Sequence, residues 1–398
     1  IIKMSTQFIY DLSCFANIIN GSEPVDDSRI NLINYTTKSN HSYKILNYKK
    51  ETLTKEPSDI GTYGLLRSVV INSNNQIVAF APPKSYELSS FASQFPTGED
   101  LVVEEFVEGT MINLFYDNSL DCWQIATRRT VGGDVSFYQS KEPTTFSQMF
   151  LEACKENNFN INSIGLDTQF MYSFVLQHPK NRIVLPIKKP QLYLVAVYYI
   201  NNTTLQVIPS DMEGVKASGV FCGTSIKFPY IEEFTGYEHI NNNLSLNTMG
   251  FVIRNKVYNI RTKIRNPVYE EIRLLKGNQP KLQYQYLILR HQGKVGDFLK
   301  YYPENKKEFA EYRNQVHEFT NTLFNAYVSC YIKKEAPLNQ YSGQVKTHMF
   351  NIHKIFLTTL KEQGLYVTMS VVVSYVNGLH PSQLMYVLNF DKHVNVNK

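Results

Sequence analysis

The amino-acid sequence predicts an α+β protein in which an antiparallel-sheet domain precedes an α-helical C-terminal domain. Two hairpin patterns between residues 65 and 130 alternate apolar and polar residues, which is typical of half-buried strands. After Lys281 the apolar residues instead recur at helical spacing. A chain of 398 residues is long enough for roughly two domains. We expect a lead-in over 1–60, the sheet domain over 61–280 and the helical domain over 281–398.

The first hairpin follows the polar lead-in. The segments LLRSVVI and QIVAFAPPKS are separated by an Asn-Ser-Asn-Asn turn, with Arg67 in the first strand and Lys84 after the second. A cation at the end of an apolar strand can project into a cleft and meet phosphate oxygens. Taken alone, each of these two residues could equally be a solvated surface charge.

The second hairpin spans residues 103–130. Residues 111–116 alternate between two faces, an Asp-Asn-Ser turn follows, and WQIATRR reads as the returning strand. Glu108 and Gly109 come just before the first strand. A glycine at this place indicates a tight turn or a close approach of the backbone to a ligand.

Later elements have separate signals. Apolar residues at helical spacing predict a helix from Phe146 to Lys155. Strands are predicted from Phe170, over QLYLVAVYYI, and after Met249, whereas residues 201–247 carry little signal. Further helices are expected in the C-terminal domain, where a long segment from Glu308 has an apolar stripe on one face.

Composition excludes several classes of protein. Hydrophobic residues at 43% and charged residues at 19% are typical of a globular protein rather than a disordered or fibrous one. The net charge of +5 permits an anionic partner without requiring one. Five scattered cysteines without a CxxC pair favour neither a disulfide framework nor a zinc site, so a reducing intracellular compartment is expected. The longest apolar run is too short to cross a bilayer, so no membrane partner is expected.

Several motifs resemble the phage-type RNA ligases, a family of covalent nucleotidyltransferases. The family's Lys-x-Asp-Gly-Ser/Thr turn and its Thr-Lys/Arg-Gly-Ser signature match Phe106–Thr110 and Thr127–Thr130. Its strand Phe-Glu-Leu-x-x-Pro-Glu-Asn-Arg-Ile-Val matches Phe174–Val184, and its pair Glu-Gly-Phe-Val and Lys-x-Lys matches Met249–Val252 and Lys263–Arg265. The resemblance implies a nucleotidyltransferase fold for the sheet domain. An Asn-, Ile-, Lys- and Tyr-rich composition fits an AT-rich source such as a large DNA virus, for which host cytoplasm or virion is the expected location.

Three motif positions lack the residues on which the family's reaction depends. Phe106 stands at the position of the family's nucleophilic lysine. Val175 and Met249 stand at the positions of two family glutamates that serve the metal and the nucleotide. The reaction needs a lysine amine to attack the α-phosphate of a nucleoside triphosphate, and a divalent cation held by oxygen ligands. The sequence therefore predicts a ligase-like protein without catalytic or metal-binding residues at these positions, and no cofactor.

The basic residues of the motifs persist. Seven Lys or Arg residues against two carboxylates lie between Arg254 and Lys276, an excess of five that equals the net charge of the whole chain. The resemblance implies that motif residues gather around one cleft that binds a nucleotide or RNA; they are Arg67, Lys84, Phe106, Glu108, Gly109, Arg128, Arg129, Arg182, Lys263 and Arg265. Phe106 and Met249 would offer surface for stacking a base.

Three functions stay open on the sequence. The first is a catalytically inactive protein that binds RNA or a nucleotide, in company with protein partners in a larger assembly. The second is an active RNA ligase or capping-type guanylyltransferase that uses ATP or GTP with Mg²⁺ and an unconventional nucleophile such as Lys84 or Lys263. The third is a scaffold that keeps only the fold. An unrelated fold, in which Phe106, Val175 and Met249 are ordinary core residues, is a further alternative.

Overall fold

The structure, a computed structural model, describes residues 8–22, 26–98, 100–138, 143–242 and 248–392. The chain divides into two compact units. The first runs to Arg273, and the second comprises residues 138–140 and everything from Leu274. Residues 1–7 and 23–25 of the predicted lead-in, and 243–247 of the low-signal segment, lie outside the described residues.

All described strands belong to the first unit, and each pairs antiparallel with its sheet neighbours. In chain order they are β1 (Tyr10–Asp11), β2 (Ile30–Thr36), β3 (Ser42–Tyr48), β4 (Val69–Ile71), β5 (Ile77–Phe80), β6 (Leu101–Glu105), β7 (Thr110–Asp117), β8 (Cys122–Ala126), β9 (Phe170–Gln177), β10 (Gln191–Asn201), β11 (Gln206–Pro209), β12 (Ile231–Glu233), β13 (Gly250–Asn255) and β14 (Arg261–Arg265).

The helices lie between these strands and after them. In chain order they are α1 (Ala16–Ile19), α2 (Pro57–Thr62), α3 (Leu88–Gln94), α4 (Phe146–Glu156), α5 (Met212–Ala217), α6 (Tyr237–Asn242), α7 (Pro267–Lys276), α8 (Leu282–His291), α9 (Val295–Tyr301), α10 (Lys306–Tyr327), α11 (Gly343–Ile355), α12 (Met369–Gly378) and α13 (Pro381–Leu388). After β14 the described elements are all helical, so the predicted α+β class with a helical C-terminal region is confirmed. No helix in the described ranges is both long and apolar enough to cross a membrane.

Three sheets form the first unit. Their strand orders are β1-β11-β10-β9-β7-β8, β12-β6-β13-β14 and β2-β3-β4-β5. Both predicted hairpins are present: β4 pairs with β5, and β7 pairs with β8 from Asn113↔Ala126 to Asp117↔Cys122. The segment predicted as a lead-in holds the β2–β3 hairpin, a strand pair that its polar composition did not predict.

Both faces of the six-stranded sheet are covered by a hydrophobic core. Because consecutive side chains of a strand point to opposite faces, neighbouring residues of one strand enter different cores. On β7, Phe115 packs into the core shared with the β2–β5 sheet, whereas Leu114 packs on the opposite side with Met149 and Phe150 of α4. Helix α4 begins with a capping box. The hydroxyl of Thr145 accepts a hydrogen bond from the amide of Gln148, and the amide of Thr145 donates one to the side-chain oxygen of Gln148. The central sheet is thereby fixed from both sides.

Two motif glycines lie where the backbone packs closely against a paired strand. Gly109 has φ +151°, and a Cβ there would lie 2.5 Å from the carbonyl oxygen of Leu176 on β9. Gly250 has φ +137°, and a Cβ there would overlap the carbonyl oxygen of Ile264 on β14. Neither position admits a side chain without moving a paired strand.

We expect Gly250→Ala to destabilise the first unit by about 1–3 kcal/mol more than Gly219→Ala, since inserted volume adds this much strain in a packed site. Gly219 also has a positive φ, +74°, but open space around it, so it serves as the matched control for backbone conformation. The measurement is chemical denaturation followed by the fluorescence of Trp123, the single tryptophan, which lies on β8. Equal effects of the two substitutions would contradict the steric account.

Candidate cationic site

Phe106 lies directly after β6 and faces the basic strand β14. Its amide donates a hydrogen bond to the carbonyl of Gly250, 3.0 Å away. The ammonium nitrogen of Lys263 is 4.3 Å from the centroid of the Phe106 ring, and the guanidinium carbon of Arg265 is 5.8 Å from it. The residue at the motif-lysine position is therefore in direct contact with the family's second basic motif.

Alternation along β14 places three cations on one face of the strand. Thr262 and Ile264 are buried, so Arg261, Lys263 and Arg265 point the other way. Arg261 donates to the carbonyl of Pro83 at 2.9 Å. The sequence singles out Arg261 only within the local charge excess, although its position two residues before Lys263 indicates that the two side chains share one face of a strand.

Arg67 joins this group from the first hairpin. Its guanidinium donates to the carbonyl of Pro82 at 3.4 Å, next to the carbonyl that Arg261 uses. Burial lowers the pKa of Arg67, and the neighbouring Arg128 lowers it further. Burial also lowers the pKa of Arg261, to about 10, with added repulsion from Arg254 and Arg67.

Lys263 has the most perturbed surroundings of this group. Burial holds its pKa well below the usual value for lysine, and the charges of Arg261, Arg67 and Arg265 lower it further. Within the described ranges, its ammonium has no carboxylate or hydrogen-bond partner. An amine in such a place loses its proton far more readily than an exposed one.

Two arginines of the same segment, Arg254 and Arg265, are paired with carboxylates, in contrast to Lys263. Arg254 forms a two-pronged ion pair with Glu104, at 2.8 and 3.0 Å. Arg265 bonds Glu270 at 2.7 Å. In the part of the chain that the structure describes, Arg67, Arg261 and Lys263 have no carboxylate within 4 Å. We call these three residues together with Phe106 the cationic site.

Glu108 and Gly109 build the turn that follows Phe106. The Glu108 carboxylate is 2% exposed and accepts hydrogen bonds from the amides of Val184 and Leu185 at 3.0–3.2 Å. Its backbone carbonyl accepts from the side chain of Gln177. Glu108 therefore fastens the loop after β9, and its carboxylate oxygens already have donors.

The other two replaced positions flank the same turn. Val175 is 6% exposed on β9, and its side chain lies against Gly109. Met249 precedes Gly250, and its carbonyl accepts from the amide of Asn266 at 3.0 Å. Apolar side chains thus stand on β9 and before β13 where the family would place carboxylates.

The remaining residues expected at the cleft have other surroundings. Lys84 lies among Glu87, Lys55 and Lys50, and burial lowers its pKa. Arg128 is exposed with its guanidinium 5.1 Å from the ring of Tyr48, and Arg129 is exposed as well. Arg182 donates to the carbonyl of Val184 at 2.9 and 3.1 Å. The structure therefore brings Phe106, Arg67, Lys263 and Arg265 together, whereas Lys84 and Arg182 have different neighbours.

The divalent metal of the family does not fit the residues present. The described ranges contain no group of three His, Cys, Asp or Glu side chains able to hold a metal ion. The three carboxylates nearest Phe106 along the chain have partners. Glu104 pairs with Arg254, Glu105 accepts from the amide of Tyr230 at 3.4 Å, and Glu108 accepts from the amides of Val184 and Leu185. The donor set that remains suits an anion rather than a cation.

We expect Lys263→Met to raise the free energy of unfolding of the first unit at pH 7, on the order of 1 kcal/mol. The folded-state pKa lies below the unfolded value of about 10.4, so the folded chain disfavours the proton. The penalty is complete below the folded pKa, shrinks as pH rises, and vanishes above the unfolded pKa. Lys256→Met removes an exposed charge from the same segment and should change little. A gain that persists at pH 11 would contradict this electrostatic explanation.

The chain matches no family model. A sequence relative, the RNA ligase of Rhodothermus phage RM378, is 22% identical over 325 residues, which cover 72% of this chain and 70% of that protein. An archaeal ATP-dependent RNA ligase is 14% identical with a TM-score of 0.39, covering 91% of this chain and 92% of that one. A putative ATP-dependent DNA ligase from Aquifex aeolicus is 14% identical with a TM-score of 0.43, and the match covers 76% of this chain and 77% of that one. Because both TM-scores are low, the relationship rests on the phage protein and the sequence motifs. The chain is thus a relative of a phage RNA ligase, in agreement with the resemblance of its motifs.

Proposed function

We propose that this ligase relative is catalytically inactive at position 106 and binds the phosphate groups of a nucleotide or an RNA end at the cationic site. The observation that carries the proposal is the gathering of Arg67, Arg261 and Lys263 without a carboxylate partner in the described residues. A bound anion would relieve their mutual repulsion. Arginine forks bond phosphate oxygens, usually with two parallel hydrogen bonds.

Phe106 supports a nucleotide over a simple anion. Its ring borders the amine of Lys263, so a phosphate held there would bring the attached base or sugar near an aromatic face. Base stacking on an aromatic side chain contributes roughly 1–3 kcal/mol. The same phenylalanine has no amine to form a nucleotide adduct, and the described residues contain no group of three His, Cys, Asp or Glu side chains that could hold a metal ion.

The binding test compares two charge-removing variants. Lys263→Met is expected to weaken the affinity for ATP or for a 5′-phosphorylated RNA by about 10-fold to 100-fold, as loss of a charged hydrogen bond does. Lys256→Met, in the same basic segment but exposed, should change the affinity less than twofold. Fluorescence anisotropy at several salt concentrations measures both affinities. The slope of the logarithm of the binding constant against the logarithm of the salt concentration should decrease in magnitude by about one in Lys263→Met only.

The affinity should also depend on pH. A phosphate at the cationic site favours the protonated form of Lys263, so binding takes up a proton when the free amine is uncharged. The affinity then falls as pH rises through the free-state pKa of Lys263, and Lys263→Met loses this dependence. Equal affinities and equal pH profiles in the two variants would contradict the proposal.

A second candidate is an active nucleotidyltransferase with Lys263 as its nucleophile. The depressed pKa of Lys263 and its contact with Phe106 favour it over Lys84, whose neighbours include Glu87 and two other lysines. In this case ATP or GTP with Mg²⁺ would be the substrate, as the resemblance implies.

A labelling assay separates the two candidates. Incubation with α-labelled ATP or GTP and Mg²⁺, followed by a denaturing gel, is expected to give no covalent band. A band that disappears in Lys263→Met and persists in Lys84→Met would establish the active enzyme instead. Retention of labelled nucleotide on native filters, without a covalent band, supports the binding proposal.

A further inference from the structure

The amine of Lys263 has the surroundings of a nucleophile. Its nitrogen is 4.3 Å from the centre of the Phe106 ring, and its charged neighbours are all cations. No acceptor among the described residues holds the amine in its protonated form. Lys263 is partly buried, and desolvated lysines without a counter-charge are among those that proteins use to attack electrophilic carbon or phosphorus.

The donor set decides which electrophile suits the site. Attack on a phosphorus atom spreads negative charge over phosphate oxygens, and enzymes commonly neutralise it with metal ions. The described residues do not gather carboxylates for such an ion. Attack on an aldehyde carbon needs only the amine and a route for water to leave. Arg67 and Arg261 can at the same time hold a phosphate group of the same ligand.

We propose that Lys263 forms a reversible imine with a phosphate-bearing aldehyde whose phosphate is held by Arg67 and Arg261. This inference rests on the anion binding proposed above. The Nζ lone pair of Lys263 attacks the carbonyl carbon, and the carbonyl electron pair moves to oxygen. One proton passes from nitrogen to that oxygen and gives a carbinolamine. The second N–H proton then passes to the hydroxyl group, which leaves as water as the carbon–nitrogen double bond forms. The aldehyde and the amine thereby yield an imine and one water molecule, with no oxidant or reductant.

The geometry also favours a single modified residue. The resemblance aligns Phe106 with a lysine, so this chain has one amine fewer at that position. The amine beside the Phe106 ring is that of Lys263. The ring offers an apolar face to the body of the aldehyde, and Arg67 and Arg261, which the carbonyls of Pro82 and Pro83 hold, are charged neighbours of the same amine.

The test uses the full chain with pyridoxal 5′-phosphate as the probe, reduction by borohydride, and peptide mapping by mass spectrometry. Lys263 is expected to be modified at least about tenfold faster than exposed Lys256, because an uncharged amine is the reacting form. Pyridoxal, which lacks the phosphate, should modify Lys263 at least tenfold more slowly than pyridoxal 5′-phosphate. ATP in excess should protect Lys263 and leave Lys256 unprotected.

Two further arms identify the source of the aldehyde and guard against misfolding. A single-stranded oligonucleotide with an abasic residue should be trapped by borohydride as a crosslink if the aldehyde is carried by a strand. Trapping of pyridoxal 5′-phosphate alone would point to a free phosphorylated aldehyde. Lys263→Arg removes the reacting amine and should lose the trapped adduct. Lys256→Arg, at an exposed position, should keep both the adduct at Lys263 and the affinity for ATP.

The outcomes separate this inference from the binding proposal. If ATP binds at the cationic site and Lys263 is modified no faster than Lys256, the imine is refuted and anion binding stands. If ATP neither binds nor protects and no lysine is preferred, both proposals fail. Preferential modification that Lys263→Arg abolishes and ATP prevents supports both.

Discussion

Repulsion between Arg67, Arg261 and Lys263 is the constraint on which the cationic site depends, because like charges do not gather without other forces to hold them. The backbone supplies those forces. Pairing of β13 with β14 fixes the spacing of Arg261 and Lys263, and the carbonyls of Pro82 and Pro83 take hydrogen bonds from Arg67 and Arg261. Burial lowers the pKa of each group, and the neighbouring cations lower it further. A ligand that brings negative charge to this site would relieve part of the repulsion between the three cations.

Two glycines and three apolar residues surround the turn after β6. Gly109 and Gly250 keep conformations that exclude a side chain, and each lies against the carbonyl of a paired strand. The resemblance of the motifs aligns Phe106, Val175 and Met249 with the reactive and metal-binding positions of the phage-type RNA ligases. Within the described residues, the pairing of β14 and the carbonyls of Pro82 and Pro83, rather than carboxylates, position the cations of the cationic site.

The sequence predicted the fold class and both hairpins because alternation and turn composition act locally. It also predicted the nearness of Phe106 and Lys263, through the order of the motifs rather than any local signal. Arg261 was recognised only as part of a charge excess, since its role depends on strand register and on Arg67 from a distant hairpin. The β2–β3 hairpin was not predicted because its side chains mix polar and apolar groups, and its burial against the larger sheet is a tertiary effect.

The carboxylate of Glu108 has a consequence for the loop after β9. It bonds the amides of Val184 and Leu185, which lie 76 and 77 positions further along the chain. An aspartate on the same backbone is one methylene shorter and would lengthen these hydrogen bonds. The length of this one side chain therefore sets how closely a loop that is distant in the sequence approaches the turn after β6, and position 108 tolerates fewer residue types than an exposed turn would.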